Sequence, residues 1–364
     1  MHSSKLRVAV VGCNIGRAHV AAFQELPDCF ELKAVCDLDL GRARGVAGEF
    51  SVPEAVDDFS ALCRRRDIDV VSLCTPPSCH REQIIAALVA GKQVVCEKPL
   101  VGSLAEIDEL VEMELRTGRK VMPIFQNRFG HGIQKLKYLV ELGLAGPAYL
   151  TTVETAWRRG PDYYSTPWRN SWQGALGGCL LQQGIHAHDT CSYIVGPVRN
   201  VYALAATRVN QVETEDCAVA TAQLMDGSLA TFAVTLGSAE EITRHRFCFR
   251  NLTAESNTSA YENTRDPWRF IGRLPEDERL IQDALRAFRP EPEGYAGQFL
   301  RYHQALATDT ELPVGLGDAR AAIELATALY YAIETEKPVT LPLAPTHPRY
   351  GGWCSVNHRA APAT

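Results

Sequence analysis

The chain has 364 residues, of which 46% are hydrophobic and 22% are charged. This composition is typical of a folded globular protein, and the length favours two domains. The formal net charge of −6 argues against a nucleic-acid partner, and the lack of any run of about 18 apolar residues argues against a membrane span.

The first 125 residues alternate short apolar segments with segments of helical periodicity. Strands are predicted at 6–11, 32–36, 55–56, 70–74, 93–96 and 120–125. Helices are predicted between them, at 15–26, 42–50, 59–65, 80–90 and 103–116. Because parallel strands need a crossover connection, this alternation predicts an α/β domain with a parallel sheet over residues 1–125.

After residue 125 the pattern changes to longer, partly alternating strands. We predict a helix at 133–141, an irregular segment at 158–172, a helix from about 176 towards 194, and helices at 297–307 and 318–336. Strands are predicted at 148–157, 198–208, 216–224, 229–236 and 244–250. Residues 253–293 show no clear pattern. Residues 126–364 are therefore expected to form an α+β domain with a mainly antiparallel sheet, and the last helix could pack back on the first domain.

The amino terminus and the cysteines indicate the compartment. Residues 1–5 run directly into the first strand, which leaves no room for a signal peptide. The 12 cysteines are therefore expected to be reduced thiols. Cys74 and Cys79 are close in sequence, but two prolines separate them and no histidine follows at zinc-finger spacing. We expect a cytoplasmic protein with no metal site.

A glycine turn joins the first strand to the first helix, where dinucleotide-binding proteins hold the pyrophosphate on the helix N-terminus. The segment Gly12-Cys13-Asn14-Ile15-Gly16 is one residue shorter than the usual G-x-G-x-x-G. Asn14 is expected to replace the middle glycine with φ > 0, with the amides from Ile15 onward facing the phosphate. A plain strand–helix turn is the alternative.

An aspartate ends the second strand. Asp37 follows Gly12 by 25 residues, close to the spacing of the acid that binds the adenosine ribose hydroxyls. Its carboxylate would repel a 2′-phosphate, which favours NAD over NADP. The nearby Arg42 and Arg44 weaken this preference, and a solvated turn aspartate is the alternative.

Two further strand ends carry residues of interest. The loop Cys74–His80 contains two prolines that could lie against a cofactor, although Ser78 could equally cap the next helix. Lys98 lies between Glu97 and Pro99 at the end of the strand 93–96. Proline makes the preceding residue extended, so the lysine would be held where ligands bind an open α/β sheet. A solvated Lys-Pro turn is the alternative.

A second chemical centre lies in the segment Gly177–Asp189. His186 and Asp189 are three residues apart and would share one helical face. His186 and His188 would point about 200° apart, so they could not chelate a metal together. A buried core histidine is the alternative for His186.

Taken together, these motifs resemble the glucose–fructose oxidoreductase/inositol dehydrogenase (Gfo/Idh/MocA) family. The resemblance is carried by Gly12–His19, Asp37, Cys74–His80, Glu97-Lys98-Pro99, Tyr163–Arg169 and Gly177–Asp189, in family order. It implies an α/β Rossmann-type domain followed by an α+β domain with an open, mainly antiparallel sheet that forms homodimers or homotetramers. Many polyol-oxidising relatives have an aspartate four residues before the histidine, where this chain has Gln182, so the substrate class stays open.

The resemblance implies an NAD-dependent oxidoreductase acting on a hydroxyl of a sugar, sugar acid or cyclic polyol. His186 would be the general base and Lys98 would stabilise the developing alkoxide, with the substrate in the crevice between the domains. The expected cofactor residues are Gly12, Asn14, Ile15, Gly16, Asp37, Thr75, Pro76, His80, Glu97, Lys98 and Gln126. The expected substrate residues are Arg158, Trp168, Arg169, Gln182 and Asp189.

Two other functions are compatible with the same fold. One is an NAD-dependent, redox-assisted glycosidase. The other is a cofactor- or sugar-sensing regulator without catalysis. The presence of both Lys98 and His186 argues against this function, because a sensor needs neither.

Overall fold

The computed structural model describes residues 5–353, which fall into two compact units. The first unit comprises the residues up to Val101, Glu106–Gln126 and Pro292–Arg320. The second comprises Gly102–Ala105, Asn127–Glu291 and the residues from Ala321 onward. The segment Pro292–Arg320 groups with the first unit by its contacts, and the domain boundary after residue 125 stays a prediction.

The first unit is built on a six-stranded parallel sheet. Its strands are β1 (Leu6–Val11), β2 (Phe30–Cys36), β3 (Glu54–Val56), β4 (Val70–Leu73), β5 (Gln93–Cys96) and β6 (Val121–Pro123). They are ordered β3-β2-β1-β4-β5-β6, and every pairing is parallel. The direction of strand succession reverses beside β1, which creates the switch point at which open α/β sheets bind ligands.

Two of the helices between these strands, Leu40–Phe50 and Phe59–Arg64, start at an aspartate cap. Asp39 accepts a hydrogen bond from the amide of Arg42 (3.1 Å) and Asp58 from the amide of Ala61 (2.8 Å), so each satisfies a free amide of the first turn. In the second unit, the helix His131–Glu141 begins after Gly130. The helices up to that point are Gly16–Gln24, Leu40–Phe50, Phe59–Arg64, Pro77–Val89, Leu104–Thr117 and His131–Glu141.

A helix from much later in the chain, Gly294–Thr308, completes the first unit. Its Phe299 ring stacks on Phe23 with the centroids 4.1 Å apart. Its buried Gln298 donates to the carbonyl of Pro123 (2.8 Å) and accepts from the amide of Phe125 (3.2 Å). Gln298 thereby satisfies main-chain groups at the edge strand β6, which would otherwise be unpaired.

The second unit contains an eight-stranded sheet. Its strands are β7 (Ala148–Arg158), β8 (Val198–Ala206), β9 (Cys217–Leu224), β10 (Leu229–Thr235), β11 (Gly237–Phe249), β12 (Leu252–Glu255), β13 (Arg269–Gly272) and β14 (Val339–Thr340). Their order is β13-β12-β11-β7-β10-β9-β8-β14. Only the β7–β10 pairing is parallel. The predicted α/β unit followed by an α+β unit with a mainly antiparallel sheet is confirmed.

Helices cover one face of this sheet, and Gly184–Val195 packs on β7 and β10. The other face is exposed along β9 and β10, whose side chains alternate between buried and exposed, as a half-buried strand requires. The predicted helix from 176 to 194 is in fact two helices, Cys179–Gln182 and Gly184–Val195. The unassigned segment 253–293 contains β13 and the helix Pro275–Ala287. None of the helices in residues 5–353 is apolar over the length a bilayer requires.

Candidate active site

The glycine turn after β1 is built around one positive φ. Gly12 has φ +91°, and a Cβ on it would lie 2.5 Å from the carbonyl oxygen of Cys74, so no other residue fits there. The prediction that Asn14 takes φ > 0 is wrong. Because Gly12 makes the reversal by itself, residues 13–15 can form a turn that leads into the helix, with Ile15 at φ −67°. This is how a turn one residue shorter still starts a helix at Gly16.

Asp37 holds that turn from the end of β2. Its Oδ2 accepts the amide of Cys13 (2.8 Å), and its Oδ1 accepts the amide of Asp39 (3.0 Å) and Nη1 of Arg42 (3.1 Å). Only 10% of the side chain is exposed. Asp37 is therefore not a solvated turn residue, and the arginine that pairs with it partly offsets its charge.

The loop after β4 is braced by His80. The imidazole is fully buried, with Nδ1 3.0 Å from the carbonyl oxygen of Pro99 and Nε2 2.9 Å from that of Thr75. Burial lowers the pKa of His80. The ring thus ties the Thr75–Pro76 loop to the segment that follows Lys98, and its contact with a cofactor stays a prediction.

Glu97 anchors the main chain of Lys98 at the carboxyl end of β5. Its Oε2 accepts the amide of Lys98 (3.0 Å), and its Oε1 accepts the hydroxyl of Tyr295 (2.8 Å) and lies 3.1 Å from Nε2 of His19. Nδ1 of His19 in turn lies 2.8 Å from Oγ of Ser72. Burial opposes ionisation of Glu97, but the hydrogen bond and charge of His19, together with the charge of Lys98 and the hydrogen bond of Tyr295, lower its pKa to about 2. The half-buried Lys98 therefore follows a buried carboxylate, that of Glu97. Glu97 is held by its contacts with His19, Tyr295 and the amide of Lys98.

These residues fit a dinucleotide. The turn exposes Asn14 and Ile15 beside the helix that starts at Gly16, and such a helix end favours phosphate. Asp37 supplies a carboxylate at the end of β2. The side-chain oxygen of Gln126 is buried and accepts no hydrogen bond from residues 5–353, so it could accept one from a bound cofactor.

In the second unit, His186 lies in the first turn of the helix Gly184–Val195 and is half-buried. His188 turns away to pack against Phe232, with the ring centroids 4.9 Å apart, and burial lowers its pKa to about 4. Asp189 is buried and paired with Arg128, which reaches both carboxylate oxygens (Nη2–Oδ1 2.6 Å, Nε–Oδ2 2.9 Å). This pair stabilises the helix below His186, and the substrate role of Asp189 stays a prediction.

A small pocket with a cavity volume of about 10 Å³ lies in the second unit. The guanidinium carbon of Arg169 is 4.3 Å from the Tyr163 ring centroid and 5.2 Å from that of Trp168. Arg169 and Gln183 both line this pocket. Nε of Arg169 and Oε1 of Gln183 are buried and have no hydrogen-bond partner in residues 5–353. Gln182 also lines the pocket and donates to the carbonyl of Ala175. The pocket thus combines flat aromatic faces with polar groups, as carbohydrate sites do.

Two arginines, Arg158 and Arg159, lie at the end of β7, and only Arg159 packs against aromatic rings. Arg158 points to solvent. Arg159 pairs with Glu241 and lies over the rings of Trp157 (4.9 Å) and Tyr163 (5.3 Å). A substrate contact by Arg158 stays a prediction.

The protein's sequence matches two models of one family. The oxidoreductase family with an NAD-binding Rossmann fold (GFO_IDH_MocA) matches residues 6–125, and the corresponding GFO/IDH/MocA C-terminal domain matches residues 133–250. The chain belongs to the Gfo/Idh/MocA family. The family, the NAD cofactor and the classification as a dehydrogenase, all expected from the motifs, are thereby confirmed.

Individual members of the Gfo/Idh/MocA family agree with this. D-glucoside 3-dehydrogenase of Escherichia coli (strain K12) is 33% identical over 198 residues, which are 54% of this chain and 56% of that protein. Myo-inositol 2-dehydrogenase of Thermotoga maritima is 29% identical over 62% of this chain and 66% of that protein. The WlbA dehydrogenase of Bordetella pertussis, solved with NADH and UDP-GlcNAcA, superposes with a TM-score of 0.81 at 26% identity and covers 94% of this chain and all of its own.

Proposed function

We propose that this protein oxidises a hydroxyl of a sugar, a sugar acid or a cyclic polyol, with NAD as the acceptor. The observation that carries the proposal is the anchoring of Lys98. Glu97 binds its amide at the carboxyl end of β5 in an NAD-binding sheet, where a cation would meet the reacting end of the cofactor. The activities of the relatives described above, a glucoside dehydrogenase and an inositol dehydrogenase, support the substrate class.

Lys98 and His186 have separate tasks in the proposed reaction. The ammonium group of Lys98 would donate a hydrogen bond to the reacting oxygen and stabilise alkoxide charge as it develops. The imidazole of His186 would take the hydroxyl proton, since a histidine changes protonation state near neutral pH. NAD, when bound, accepts the hydride that the substrate carbon loses.

The side chains around the pocket of the second unit are the proposed contacts for the rest of the substrate. Trp168 and Tyr163 would face sugar C–H groups, and Arg169 and Gln182 would bind hydroxyl or carboxylate oxygens. Gln183, which the sequence analysis did not include, joins them because its amide lines the same pocket and donates to the hydroxyl of Tyr163 (3.2 Å).

A panel of sugars, sugar acids and cyclic polyols, assayed for NADH formation, tests the function. Net NADH that accumulates in step with substrate loss is expected for at least one compound. Glycoside cleavage without net NADH would instead indicate the redox-assisted glycosidase. Failure of every compound, with NAD binding intact, would indicate a sensor.

NAD is expected to bind more tightly than NADP, because the carboxylate of Asp37 would meet the 2′-phosphate with like charge. Asp37→Asn keeps an oxygen for the amide of Cys13 and removes the charge. It should narrow the difference between the two affinities by about 1–3 kcal/mol, or about 5- to 150-fold. Titration by protein fluorescence measures both constants.

Asp39→Asn is the matched control, since it removes a neighbouring carboxylate that also pairs with Arg42 (3.4 Å) and asparagine still caps the helix. Its preference for NAD should be that of the unaltered protein. An unaltered protein that binds NADP as tightly as NAD would reject the assignment of Asp37.

We also propose that the exposed sheet face binds a second copy of the chain. Leu204 and Val219 face each other across β8 and β9, and Leu229 faces Leu150 across β10 and β7. These four side chains are 39–53% exposed, and large exposed apolar side chains on one sheet face favour an interface.

The eleven cysteines of residues 5–353 are free thiols, which agrees with the proposed cytoplasmic location.

Val219→Lys is expected to convert the oligomer into monomers, because it would place an unpaired charge in the proposed interface. Light scattering coupled to size-exclusion chromatography measures the mass. Leu115→Lys, a similar change at a side chain that is 81% exposed on the helix Leu104–Thr117, should leave the mass unchanged. A monomeric unaltered protein, or an oligomer that survives Val219→Lys, would contradict the proposal.

A further inference from the structure

Glu215 is a buried acid that lies just before β9 and has no place in the reaction described so far. It is only 6% exposed, and burial raises the pKa of its carboxyl group to about 7. Keeping a carboxyl group away from water costs free energy unless hydrogen bonds satisfy it. Its partners therefore indicate what it is for.

The bonds of Glu215 converge on three consecutive amides. Its Oε2 accepts the amide of Gly178 (3.1 Å) and its Oε1 the amide of Leu180 (3.0 Å). Its own carbonyl accepts the amide between them, that of Cys179 (2.8 Å). The hydroxyl of Tyr330 also donates to Oε1 (2.9 Å). A single residue thus holds a whole turn of main chain.

Gly177 and Gly178 allow Glu215 and Tyr330 to pack closely against the main chain of this segment. A Cβ on Gly178 would lie 2.0 Å from the carbonyl oxygen of Glu215 and 2.7 Å from its carboxyl carbon. A Cβ on Gly177 would lie 2.3 Å from the hydroxyl of Tyr330. Neither position could carry a side chain without displacing Glu215 or Tyr330, so the glycines are needed for this close packing.

The segment that Glu215 holds leads directly to the proposed substrate residues. The carbonyl of Gly178 accepts the amide of Gln182 (2.8 Å), and that of Cys179 accepts the amide of Gln183 (3.1 Å). Both glutamines line the pocket of the second unit. The next residue, Gly184, starts the helix that carries His186.

We propose that Glu215 is a positioning residue for hydride transfer: through Gly178, Cys179 and Leu180 it fixes Gln182, Gln183 and the start of the helix that carries His186. This inference rests on the proposed function. A displacement of about 1 Å in a reacting group can cost about 100-fold in rate. A small increase in the mobility of this segment should therefore lower kcat measurably.

Glu215→Gln is the direct test, because an amide keeps the shape but has one acceptor oxygen where two are used. Its NH₂ group would face one of the two amides, donor against donor. Asp216→Asn is the matched control. Asp216 is fully buried and accepts the amides of Arg208 (2.7 Å), Val209 (2.9 Å) and Asn210 (2.7 Å), so the same chemical change loosens a different segment.

Four quantities are measured on the full chain below the unfolding temperature of both variants: kcat and KM for the best substrate, Kd for NAD, and hydrogen exchange over residues 178–186. Glu215→Gln should lower kcat by about 10- to 100-fold, leave the Kd for NAD unchanged, and speed exchange at Gly178 and Leu180. Asp216→Asn should leave kcat and that exchange unchanged even if it lowers the unfolding temperature as much.

The inference is overturned if Glu215→Gln retains full kcat, or if both variants lose kcat in proportion to their loss of thermal stability. A protein that oxidises none of the panel would refute the proposed function instead. Exchange would then still decide the structural part: faster exchange in Glu215→Gln alone supports the positioning role, and equal exchange in both variants refutes it.

Discussion

His186→Ala is expected to lower kcat by about 10²–10⁴-fold, the usual cost of losing a general base. The affinity for NAD should stay almost unchanged, because every residue proposed to bind the dinucleotide through its phosphates and ribose belongs to the first unit, whereas His186 belongs to the second. Steady-state NADH formation with the best substrate gives the rate, and fluorescence titration gives the affinity.

The same helix offers a matched control for this experiment. His188 is buried against Phe232 and its pKa is lowered to about 4, so it is a neutral packing residue at working pH. His188→Leu replaces it with an apolar side chain and should keep kcat near that of the unaltered protein. If His186→Ala retains near-native turnover, His186 is a packing residue too and the catalytic assignment is wrong.

Lys98→Ala should lower kcat by about 10²–10³-fold, as the loss of one donor to a developing oxyanion does. The hydrogen bond to Glu97 uses the main-chain amide of Lys98, so the loop keeps its anchor when the side chain is removed. The expected loss is therefore chemical, and the unfolding temperature should change little.

Lys92, at the other end of β5, is the control for Lys98. It is a buried lysine whose ammonium group donates to the carbonyls of Ile68 (2.8 Å) and Arg65. Lys92→Met should lower stability because the buried carbonyl of Ile68 and the partly buried carbonyl of Arg65 lose their donor, but it should keep turnover. If Lys92→Met slows the reaction as much as Lys98→Ala does, the effect of Lys98 is structural.

A double variant, Lys98→Ala with His186→Ala, tests whether both side chains act in the same chemical step. Residues that act on the same transition state are strongly non-additive. The double variant should therefore be slowed by much less than the product of the two single effects. Fully multiplicative losses would mean that the two residues act in independent steps.

The parallel sheet and the places of its functional loops could be predicted because each depends on local pattern. Buried parallel strands are continuous apolar runs, and their carboxyl ends all lie at one edge of the sheet, the edge at which ligands bind. Asp37 and Lys98 were found in this way, at the ends of β2 and β5. The φ of Asn14 was predicted wrongly because the motif does not show that Gly12 alone reverses the chain.

The supporting groups could not be predicted because they come together only in three dimensions. Tyr295 binds Glu97 from a position 198 residues later in the chain. Glu215 holds Gly178 across 37 residues, and no periodicity relates such positions. The choice between Arg158 and Arg159 depends on which side of β7 each side chain points at the strand end, where a one-residue shift exchanges the two faces.

The most direct test of the account follows the hydrogen that leaves the substrate. The best substrate of the panel is prepared with deuterium on the carbon that bears the reacting hydroxyl, and the NADH formed is analysed by mass spectrometry. The account predicts that each NADH carries the substrate's deuterium and that His186→Ala slows this transfer. NADH without deuterium, or product formed with no net NADH, would contradict it.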